Sequence, residues 1–530
     1  MKLLHGSVNR PIDSSLTQKI QAQARKLFAE EMAMRKGAAL HMERARQVFV
    51  NRNLRMSTIE LVGFDMDYTL AIYHQRRIEE LSFELTLQKL VDSYGYPPDI
   101  LRIPYSPHFA IRGLFIDKTN GNLVKMDRFG HVGRAMHGRT PLDSKEYKRL
   151  YRDERVRAFS PPHSSDAWMD TLFSLPEACL FADIIEMLSV QQKQPVDYAK
   201  LCADIREAID SIHRDGPLKD IILKNISHYI YEDLELGPTL HKLRSGGKKL
   251  FLLTNSPHGY TQAVMSYLLD NAIPEYPSWK NYFDVILTGA CKPLFFSGSA
   301  PFEEVNETEP GNTPHGVAST LERGKIYQRG NLADFERMVQ IRGEAVLYVG
   351  DHIYGDILKS KQASLWRTCM VVQELEDEMS YLESRAEDLW TLSKLEQLRK
   401  NLDEEISSVR TAVNRLDKEA PASARLEARA SLETLRQRFR ETNDLSRQLA
   451  LDIDKGFNTY WGLVFKEGSE TSRFGEQVEQ YACIYTSRVS NLSFYSPMQY
   501  FRSARDFMAH ERDSMLGWKK AEGEGGEEGF

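Results

Sequence analysis

Four short apolar runs stand out from the mixed pattern of this 530-residue chain. They are IELVGF (59–64), KKLFLLT (248–254), YFDVILTG (282–289) and EAVLYVG (344–350). Near-continuous apolar runs of this length, separated by stretches of helical character, are typical of strands in a parallel sheet that is covered on both faces. The pattern therefore predicts an α/β fold, a doubly wound parallel sheet with helical crossovers.

Each of the four runs is followed by a polar side chain of a type used in catalysis. In chain order these residues are Asp65 and Asp67, then Thr254, Asn255 and Ser256, then Lys292, and finally Asp351 with Asp356. Aspartate is also common where a strand turns, because it bonds nearby backbone amides. That alternative explains one strand end, but it explains four poorly. Since ligands bind at the carboxyl ends of parallel strands, we expect these groups at one edge of the sheet.

The residue types in this set suit phosphoryl transfer. Asp65 can act as the nucleophile, and Asp67 can protonate the leaving oxygen and later deprotonate a water. The Thr254 hydroxyl and the Lys292 ammonium can hold phosphate oxygens. Asp351 and Asp65 offer hard oxygen ligands for Mg²⁺. Without a cation and a lysine, so many carboxylates at one edge would repel one another.

The distance along the chain between the first two runs is far longer than a crossover needs, so it predicts an inserted domain. We expect an N-terminal helical segment at 1–50, a catalytic core at 51–74 and 235–375, a cap that selects the substrate at 75–234, a helical hairpin with coiled-coil character at 376–455, a C-terminal helical segment packing on the core at 456–515, and a disordered tail at 516–530. For the hairpin, packing on the chain's own body and oligomerisation are equally good explanations.

Composition and charge exclude several classes of protein. A net charge of −6 and a pI near 6.2 argue against binding to a nucleic-acid polymer. The five cysteines are scattered singly, which is neither a disulfide framework nor a zinc site and favours a reducing compartment. No stretch resembles a signal peptide or reaches transmembrane length. We therefore expect a cytoplasmic protein with no membrane partner.

Four motifs in this order resemble those of the haloacid dehalogenase (HAD) superfamily of aspartate-nucleophile phosphatases. They are DMDYT (65–69), LLTNS (252–256), CKP (291–293) and GDHIYGD (350–356). A single DxD would be a weak match, whereas the full set in its strand context is specific. The resemblance implies a HAD-like core, with a large inserted α+β cap domain and the helical hairpin added to it.

Longer segments are similar to the cytosolic purine 5'-nucleotidase family within that superfamily. These segments are VFVNRNLRM (48–56), CKPLFFS (291–297), GDHIYGDILKSKQ (350–362) and FGEQVEQYACIYTSRVSNLSFYSP (474–497). The resemblance implies magnesium-dependent hydrolysis of purine nucleoside 5'-monophosphates, with IMP and GMP preferred. It also implies phosphotransfer to nucleosides, homo-oligomers (dimer or tetramer) and control by a nucleotide effector.

The family's catalytic roles carry over to matching positions. By this resemblance Asp65 is the nucleophile, and Asp67 is the acid and base that also lends its backbone carbonyl to the metal. Asp351 is the second carboxylate ligand of Mg²⁺. Asp356 is a nearby acid that orients the water shell of the metal.

A polar face in the expected cap offers a candidate substrate pocket. Arg206, Asp210 and His213 fall at i, i+4 and i+7 on one helical face, and Lys219 follows a Gly-Pro turn. A solvated face with one ion pair would show the same spacing. The four positions also match the family's pattern, which favours a base pocket. Arg206 and Asp210 would then address the polar edge of the purine, with His213 and Lys219 near ribose and phosphate.

The chain departs from the family where an aromatic residue should stack on the base. Arg139 stands there, Met136 and Thr140 replace amides, and Arg214 replaces a tyrosine. A guanidinium can stack on a purine, so we expect Arg139 to cover the base face. Because the Asp210 carboxylate accepts hydrogen bonds, it favours hypoxanthine or guanine over adenine.

The sequence leaves two alternatives open. One is a HAD phosphatase of the same architecture that acts on another phosphorylated metabolite. The other is a non-catalytic scaffold that works through the helical hairpin. Intact Asp65, Thr254 and Lys292 count against the scaffold, since a protein without catalysis would be free to lose them.

Overall fold

A computed structural model describes Gln23, Lys26 and Leu27 and residues 43–152, 168–214, 217–306, 314–416, 421–508 and 510–511. Most of the helical segment expected at 1–50, and the whole tail expected at 516–530, lie outside these residues. The chain from Ala45 onward forms one compact unit.

Short strands and helices of widely varying length make up this unit. The strands are β1 (Phe49–Val50), β2 (Leu54–Arg55), β3 (Leu61–Phe64), β4 (Ile72–Tyr73), β5 (Leu114–Asp117), β6 (Asn122–Met126), β7 (Val132–His137), β8 (Thr140–Pro141), β9 (Ile230–Tyr231), β10 (Lys249–Leu253), β11 (Val285–Thr288), β12 (Phe302–Val305), β13 (Pro314–Val317), β14 (Ile326–Arg329), β15 (Val346–Gly350), β16 (Arg367–Val371), β17 (Lys466–Glu467), β18 (Glu470–Thr471), β19 (Ile484–Thr486) and β20 (Tyr500–Phe501). The helices are α1 (Gln75–Tyr94), α2 (Ser144–Tyr147), α3 (Leu175–Ile185), α4 (Tyr198–Arg214), α5 (Pro217–Lys224), α6 (Ile226–Tyr229), α7 (Leu236–Ser245), α8 (His258–Leu269), α9 (Leu294–Ser297), α10 (Leu332–Val339), α11 (Lys359–Ala363), α12 (Leu375–Ser384), α13 (Ala386–Leu416), α14 (Ala422–Phe457) and α15 (Arg473–Tyr481).

One large sheet forms the core, with the strand order β1-β19-β16-β15-β3-β10-β11-β14-β12-β13. Every pair from β19 to β14 is parallel, and antiparallel strands lie at both ends. Hydrophobic clusters cover both faces, since Phe64 and Leu252 belong to one and Leu61 and Phe251 to the other. The predicted α/β fold with a doubly wound parallel sheet is confirmed by this topology.

Gly63, in the middle of β3, is needed for this packing. A Cβ atom at this position would lie 2.0 Å from the Phe251 ring, which fills the space against the strand. Any larger residue would push β3 away from β10, its parallel neighbour. The glycine therefore keeps the central strands together directly below the residues that follow β3.

The C-terminal segment differs from the expected one. A helical segment is expected at 456–515, but the α-helix α15 covers only nine of the described residues there. Strand β19 from the same segment joins the large sheet as a parallel neighbour of β16. Strand β1, inside the segment expected to be helical at 1–50, pairs with β19 from the other side. Neither strand is long enough for a recognisable alternation of apolar residues, so the sequence pattern does not reveal them.

The cap begins and ends at a pair of short strands. Ile72 in β4 is paired with Tyr231 in β9, so the chain leaves the core and returns to it side by side. Between them lie α1, α3, α4 and the antiparallel sheet β5-β6-β7-β8. Its first hairpin turns at an Asn-Gly pair, where Gly121 has a φ of +70° that favours glycine. This arrangement holds the cap sheet and helices against the edge of the core.

The long helices α13 and α14 form the predicted hairpin and pack mainly on each other. Leu402 and Val413 of this hairpin are buried, as the predicted coiled-coil character requires. Other large apolar side chains of the hairpin face solvent: Trp390 is 63% exposed and Leu445 is 56% exposed. No helix in the described part of the chain is both long enough and apolar enough to cross a membrane.

Candidate active site

The carboxyl ends of the central strands meet at a cavity of about 410 Å³ below the cap. The hydrogen-bonding pattern of the parallel sheet continues one residue beyond β3 and β10. Asp65 N–H donates to the Val349 carbonyl, and Thr254 N–H donates to the Leu287 carbonyl. Many of the predicted site residues line the cavity. From the core these are Asp65, Asp67, Asn255, Lys292, Asp351 and Asp356, and from the cap Arg206 and Asp210.

Lys292 occupies the centre of the core side. Its Nζ lies 2.8 Å from Asp65 Oδ1 and 2.6 Å from Asp356 Oδ1, and it donates to the Tyr348 hydroxyl at 3.0 Å. Two hydrogen bonds, 2.9 and 2.6 Å long, join the Asn255 amide to the Lys292 backbone. Burial alone lowers the pKa of Lys292, but the charges of Asp356 and Asp65 outweigh it and raise this pKa. Lys292 is therefore a fixed cation beside the proposed nucleophile.

Three carboxylates converge next to this lysine. Asp65, Asp351 and Asp356 each offer an oxygen, and these oxygens lie within 4.8 Å of one another. Asp351 Oδ2 is buried and has no hydrogen-bond partner among the described residues. Burial raises the pKa of Asp351, and the charges of Asp356 and Asp65 raise it further. Crowded carboxylate oxygens with an unsatisfied buried atom fit a divalent cation such as Mg²⁺.

Both oxygens of Asp67 accept hydrogen bonds, so its carboxylate has one orientation. The Tyr73 hydroxyl donates to Oδ1 at 2.6 Å, and the Ser256 hydroxyl donates to Oδ2 at 2.7 Å. The Tyr260 hydroxyl lies 2.8 Å from that of Tyr73 and extends the network. Asp67 also lines the cavity, which leaves it in reach of a leaving group or a water.

The cap side of the cavity combines charged and aromatic groups. Arg206 Nη2 forms an ion pair of 2.6 Å with Glu177, whose side chain is buried in α3. Burial raises the pKa of Glu177 to about 7, although Arg206 lowers it. Trp168 and Phe173 also line the cavity, and they offer apolar ring surface beside the polar groups. The cap thus provides both a hydrogen-bonding edge and a flat apolar surface.

Two predicted cap residues lie beside the cavity and do not line it. The His213 ring packs edge-on against Phe173 at 5.3 Å and donates from Nδ1 to the Ile209 carbonyl. Lys219 Nζ lies 5.4 Å from the centre of the Tyr260 ring. Burial lowers the pKa of both side chains, and the negative charge of Asp67 opposes that shift. Both side chains therefore lie close enough to Asp67 to interact with its charge.

Thr254 also has a different place from the expected one. Its side chain is buried, it does not line the cavity, and its Oγ1 accepts a hydrogen bond from the Ser256 backbone at 3.1 Å. This bond shapes the turn after β10 and thereby aims Ser256 at Asp67. The neighbouring Asn255 is the residue of this motif that lines the cavity.

The expectation that Arg139 covers the base is wrong. Arg139 lines a different cavity and donates to both oxygens of Asp183 at 2.5 and 2.7 Å, with its guanidinium 3.6 Å from the centre of the Phe109 ring. A buried acid in α3 therefore attracts this arginine away from the candidate active site. Two further departures lie elsewhere: Met136 is in the core, and Arg214 is exposed beside Glu207.

Several residues that hold the site together were not predicted from the sequence. Tyr73 orients Asp67, Tyr348 accepts from Lys292, and Glu177 holds Arg206. A sequence signal existed for two of them. Tyr348 is the one hydroxyl inside the apolar strand β15, and Glu177 is an acid in the largely apolar helix α3. A polar group buried in an apolar element needs a partner, and that need marks it as a candidate.

The sequence matches a known family model over residues 48–513, described as the 5' nucleotidase family. The chain belongs to the 5' nucleotidase family. A 5'-nucleotidase domain-containing protein of Dictyostelium discoideum is 31% identical over 474 residues, which cover 88% of this chain and 74% of the relative. Human 5'-nucleotidase domain-containing protein 2 is 29% identical over 474 residues, covering 88% of this chain and 85% of the relative.

Solved structures show only a distant likeness to this 5' nucleotidase family member. A 2-haloacid dehalogenase of Pseudomonas syringae has 15% identity and a TM-score of 0.20, over 59% of this chain and 86% of that one. CbbY of Rhodobacter sphaeroides, in complex with phosphate, has 13% identity and a TM-score of 0.20 over the same shares. The α/β fold is established by the topology of the large sheet. Family membership confirms the prediction of a phosphoric monoester hydrolase with nucleotidase or phosphatase activity.

Proposed function

We propose that this protein hydrolyses purine nucleoside 5'-monophosphates, with IMP and GMP preferred, in a magnesium-dependent reaction. The observation that carries the proposal is the composition of one cavity. Its core side holds Asp65, Asp67 and Lys292, which suit a phosphate, and its cap side holds Arg206 and Asp210, which suit the polar edge of a base. A nucleoside monophosphate is a ligand with those two ends.

In the first step, the Asp65 carboxylate attacks phosphorus and the bond from phosphorus to the nucleoside O5' breaks. Asp67, in its protonated form, gives its proton to that oxygen, and the nucleoside leaves. The resulting aspartyl-phosphate is then attacked by a water, whose proton returns to Asp67, and Asp65 is released. A nucleoside hydroxyl in place of this water gives phosphotransfer to a nucleoside, which we include in the proposal.

The charged groups around Asp65 stabilise these steps. Lys292 lies 2.8 Å from Asp65 and balances charge on the transferred phosphoryl group. Asp65 and Asp351 would hold Mg²⁺, with Asp356 orienting the water shell around it. When bound, Mg²⁺ supplies positive charge to the phosphoryl oxygens and to the crowded carboxylates. The hydrogen bonds from Tyr73 and from Ser256 keep Asp67 aimed at the leaving oxygen.

The direct test of the proposal is phosphate release from a panel of phosphate esters, with Mg²⁺ and with a chelator. The panel contains IMP, GMP, AMP, a pyrimidine monophosphate and several sugar phosphates. We expect the highest kcat/KM with IMP and GMP, and no turnover with the chelator. Faster hydrolysis of a sugar phosphate than of any nucleotide would contradict the purine proposal and leave a phosphatase of another metabolite.

The Asp210→Ala variant should lower kcat/KM for IMP and GMP by about tenfold to a hundredfold. The physical reason is the loss of an acceptor for the ring N–H of hypoxanthine or guanine. AMP lacks that donor, so its kcat/KM should change less and the discrimination between bases should narrow. Steady-state kinetics on the three nucleotides measures this effect.

The matched control for Asp210→Ala is Glu207→Ala. Glu207 lies on the same helix, is exposed, and is paired with Arg214 outside the cavity. The Glu207→Ala variant should leave kcat/KM unchanged for IMP, GMP and AMP. Equal losses on IMP and AMP in the Asp210→Ala variant would show that Asp210 does not distinguish the bases.

We also propose that the protein forms a homo-oligomer through the hairpin α13–α14 and that a nucleotide effector regulates it. Exposed apolar side chains on the hairpin support a contact with a second copy. They include Trp390, which is 63% exposed, and Leu426, which is 73% exposed. The base of the hairpin is fixed to α12, since the Tyr381 hydroxyl donates to the Ile453 carbonyl at 2.6 Å.

Replacing residues 389–451 by a short flexible linker should lower the oligomeric mass or remove the effector response, with little change in kcat. This deletion keeps the Tyr381 bond and removes none of the cavity-lining residues. Light scattering and turnover with and without added nucleotides measure the two effects. A well-folded, inactive deletion of unchanged mass would show that the hairpin serves the active site instead.

A further inference from the structure

A buried arginine of the cap reaches the core loop that carries Asp351. Arg112 has no exposed surface and stands shortly before β5 in the cap sheet. Its Nη1 donates to the Asp351 backbone carbonyl at 3.0 Å. The guanidinium also lies 5.0 Å from the centre of the Phe474 ring, which excludes water from one side. Burying an arginine costs free energy of folding unless its N–H groups are hydrogen-bonded. The bond to the Asp351 carbonyl therefore stabilises the folded state.

The other donors of Arg112 are taken up by Glu374, which follows β16. Its two carboxylate oxygens accept from Arg112 Nε at 2.7 Å and from Nη2 at 2.5 Å. The preceding residue, Gln373, donates from Nε2 to the Tyr68 carbonyl at 3.2 Å, in the loop after Asp67. Gln373 thus contacts the loop after Asp67 directly. Glu374 is linked to the Asp351 loop through Arg112.

We propose that Arg112, held by Glu374, is a positioning residue for the magnesium site. It touches neither the substrate nor the Asp351 carboxylate, but it fixes the Asp351 backbone and thereby the direction of its side chain. Partners that orient a metal ligand without touching the metal commonly change its affinity by about 10- to 100-fold when they are removed. This inference rests on the proposed function, because it assumes that Asp351 binds the metal.

The test compares Arg112→Met, Arg112→Lys and the double variant Arg112→Met/Glu374→Gln with the wild-type protein. Mg²⁺ binding to each purified protein, without substrate, is measured by isothermal titration calorimetry, and thermal unfolding is measured alongside. The double variant matters because it removes both charges. It should therefore recover part of the stability that Arg112→Met loses by leaving the partly buried Glu374 carboxylate without its partner.

We expect Arg112→Met and the double variant to bind Mg²⁺ about 10- to 100-fold more weakly than wild type. Arg112→Lys keeps the positive charge but lacks the planar guanidinium that bonds both Glu374 oxygens and the Asp351 carbonyl at once. Its Mg²⁺ affinity should therefore fall between those of the wild-type protein and Arg112→Met. At saturating Mg²⁺, KM for the nucleotide should stay close to the wild-type value, because Arg112 does not line the cavity.

The control is Arg134→Met. Arg134 also joins the cap to carboxylates outside it, at 2.5 Å from Asp454 and 3.4 Å from Glu467, and neither of these ion pairs involves the Asp351 loop. It should lower stability while leaving Mg²⁺ affinity unchanged. The inference would be overturned if the double variant had wild-type Mg²⁺ affinity, or if Arg134→Met lost as much Mg²⁺ affinity as Arg112→Met. Either result would leave the proposed metal site itself intact. A wild-type protein that binds no Mg²⁺ would overturn the proposed metal site as well.

Discussion

The Asp65→Asn variant should lose at least about a thousandfold in kcat on every phosphate ester that the wild-type protein hydrolyses. The amide has nearly the volume of the carboxylate but cannot attack phosphorus, so the chemical step stops while the fold is kept. Asp65 is placed for attack by the end of β3 and by Lys292 at 2.8 Å. Phosphate release measures the loss, and thermal unfolding with circular dichroism checks the fold.

Asp67→Asn gives the informative comparison, because it should fail in a different way. Its loss of kcat on a nucleotide should be about 10²- to 10⁴-fold, the usual range for a general acid or base. The leaving group of p-nitrophenyl phosphate departs without taking up a proton. Asp67→Asn should therefore slow the formation of the aspartyl-phosphate less with this ester than with a nucleotide. Asp284→Asn, an aspartate next to β11 that is paired with Arg244 away from the cavity, controls for the change of charge. Substantial turnover in Asp65→Asn would rule out the aspartyl-phosphate.

Removing divalent cations should abolish turnover, and Asp351→Ala should weaken Mg²⁺ binding more than about a hundredfold. Asp351 has a buried oxygen without a partner among the described residues, beside the oxygens of Asp65 and Asp356. Its loss would remove a direct ligand of the ion. The midpoint of a Mg²⁺ titration, measured by turnover and by calorimetry without substrate, gives the size of the effect.

Lys219→Ala is the matched comparison for the metal prediction. Lys219 is a charged, partly buried residue next to Tyr260, and it has no contact with the three carboxylates among the described residues. Its removal should leave the Mg²⁺ midpoint within about twofold of the wild-type value, since its charge lies on the Asp67 side of the site. Similar Mg²⁺ midpoints for Asp351→Ala and Lys219→Ala would exclude Asp351 as a ligand.

The strands of the sheet show how far hydrophobic pattern alone can be used. The four apolar runs predict β3, β10, β11 and β15, because a strand buried on both faces carries an apolar side chain at nearly every position. The other parallel strands, β14, β16 and β19, were not predicted. β14 includes Gln328 and Arg329, and β19 has three residues in a polar segment. Both become strands by pairing with strands that are distant in sequence.

In the cap, too, the sequence predicts which residues share the face of one helix but not which residues of different elements are in contact. The i, i+4 spacing correctly puts Arg206 and Asp210 together at the cavity, because a helix fixes which residues share a face. The position of Arg139 was not predictable. Its direction depends on Asp183, in a different element of the cap, and the motif before Arg139 contains no information about that partner.

The sequence by itself determined the parallel sheet and the order in which Asp65, Asp67, Lys292 and Asp351 follow its strands. It could do so because strand ends are set by local hydrophobic pattern, and parallel strands all end at the same edge. Only the tertiary structure decided that Glu177 holds Arg206 and that Arg112 reaches the Asp351 loop. A buried arginine can be satisfied by many carboxylates and carbonyls, so packing of distant segments chooses its partner.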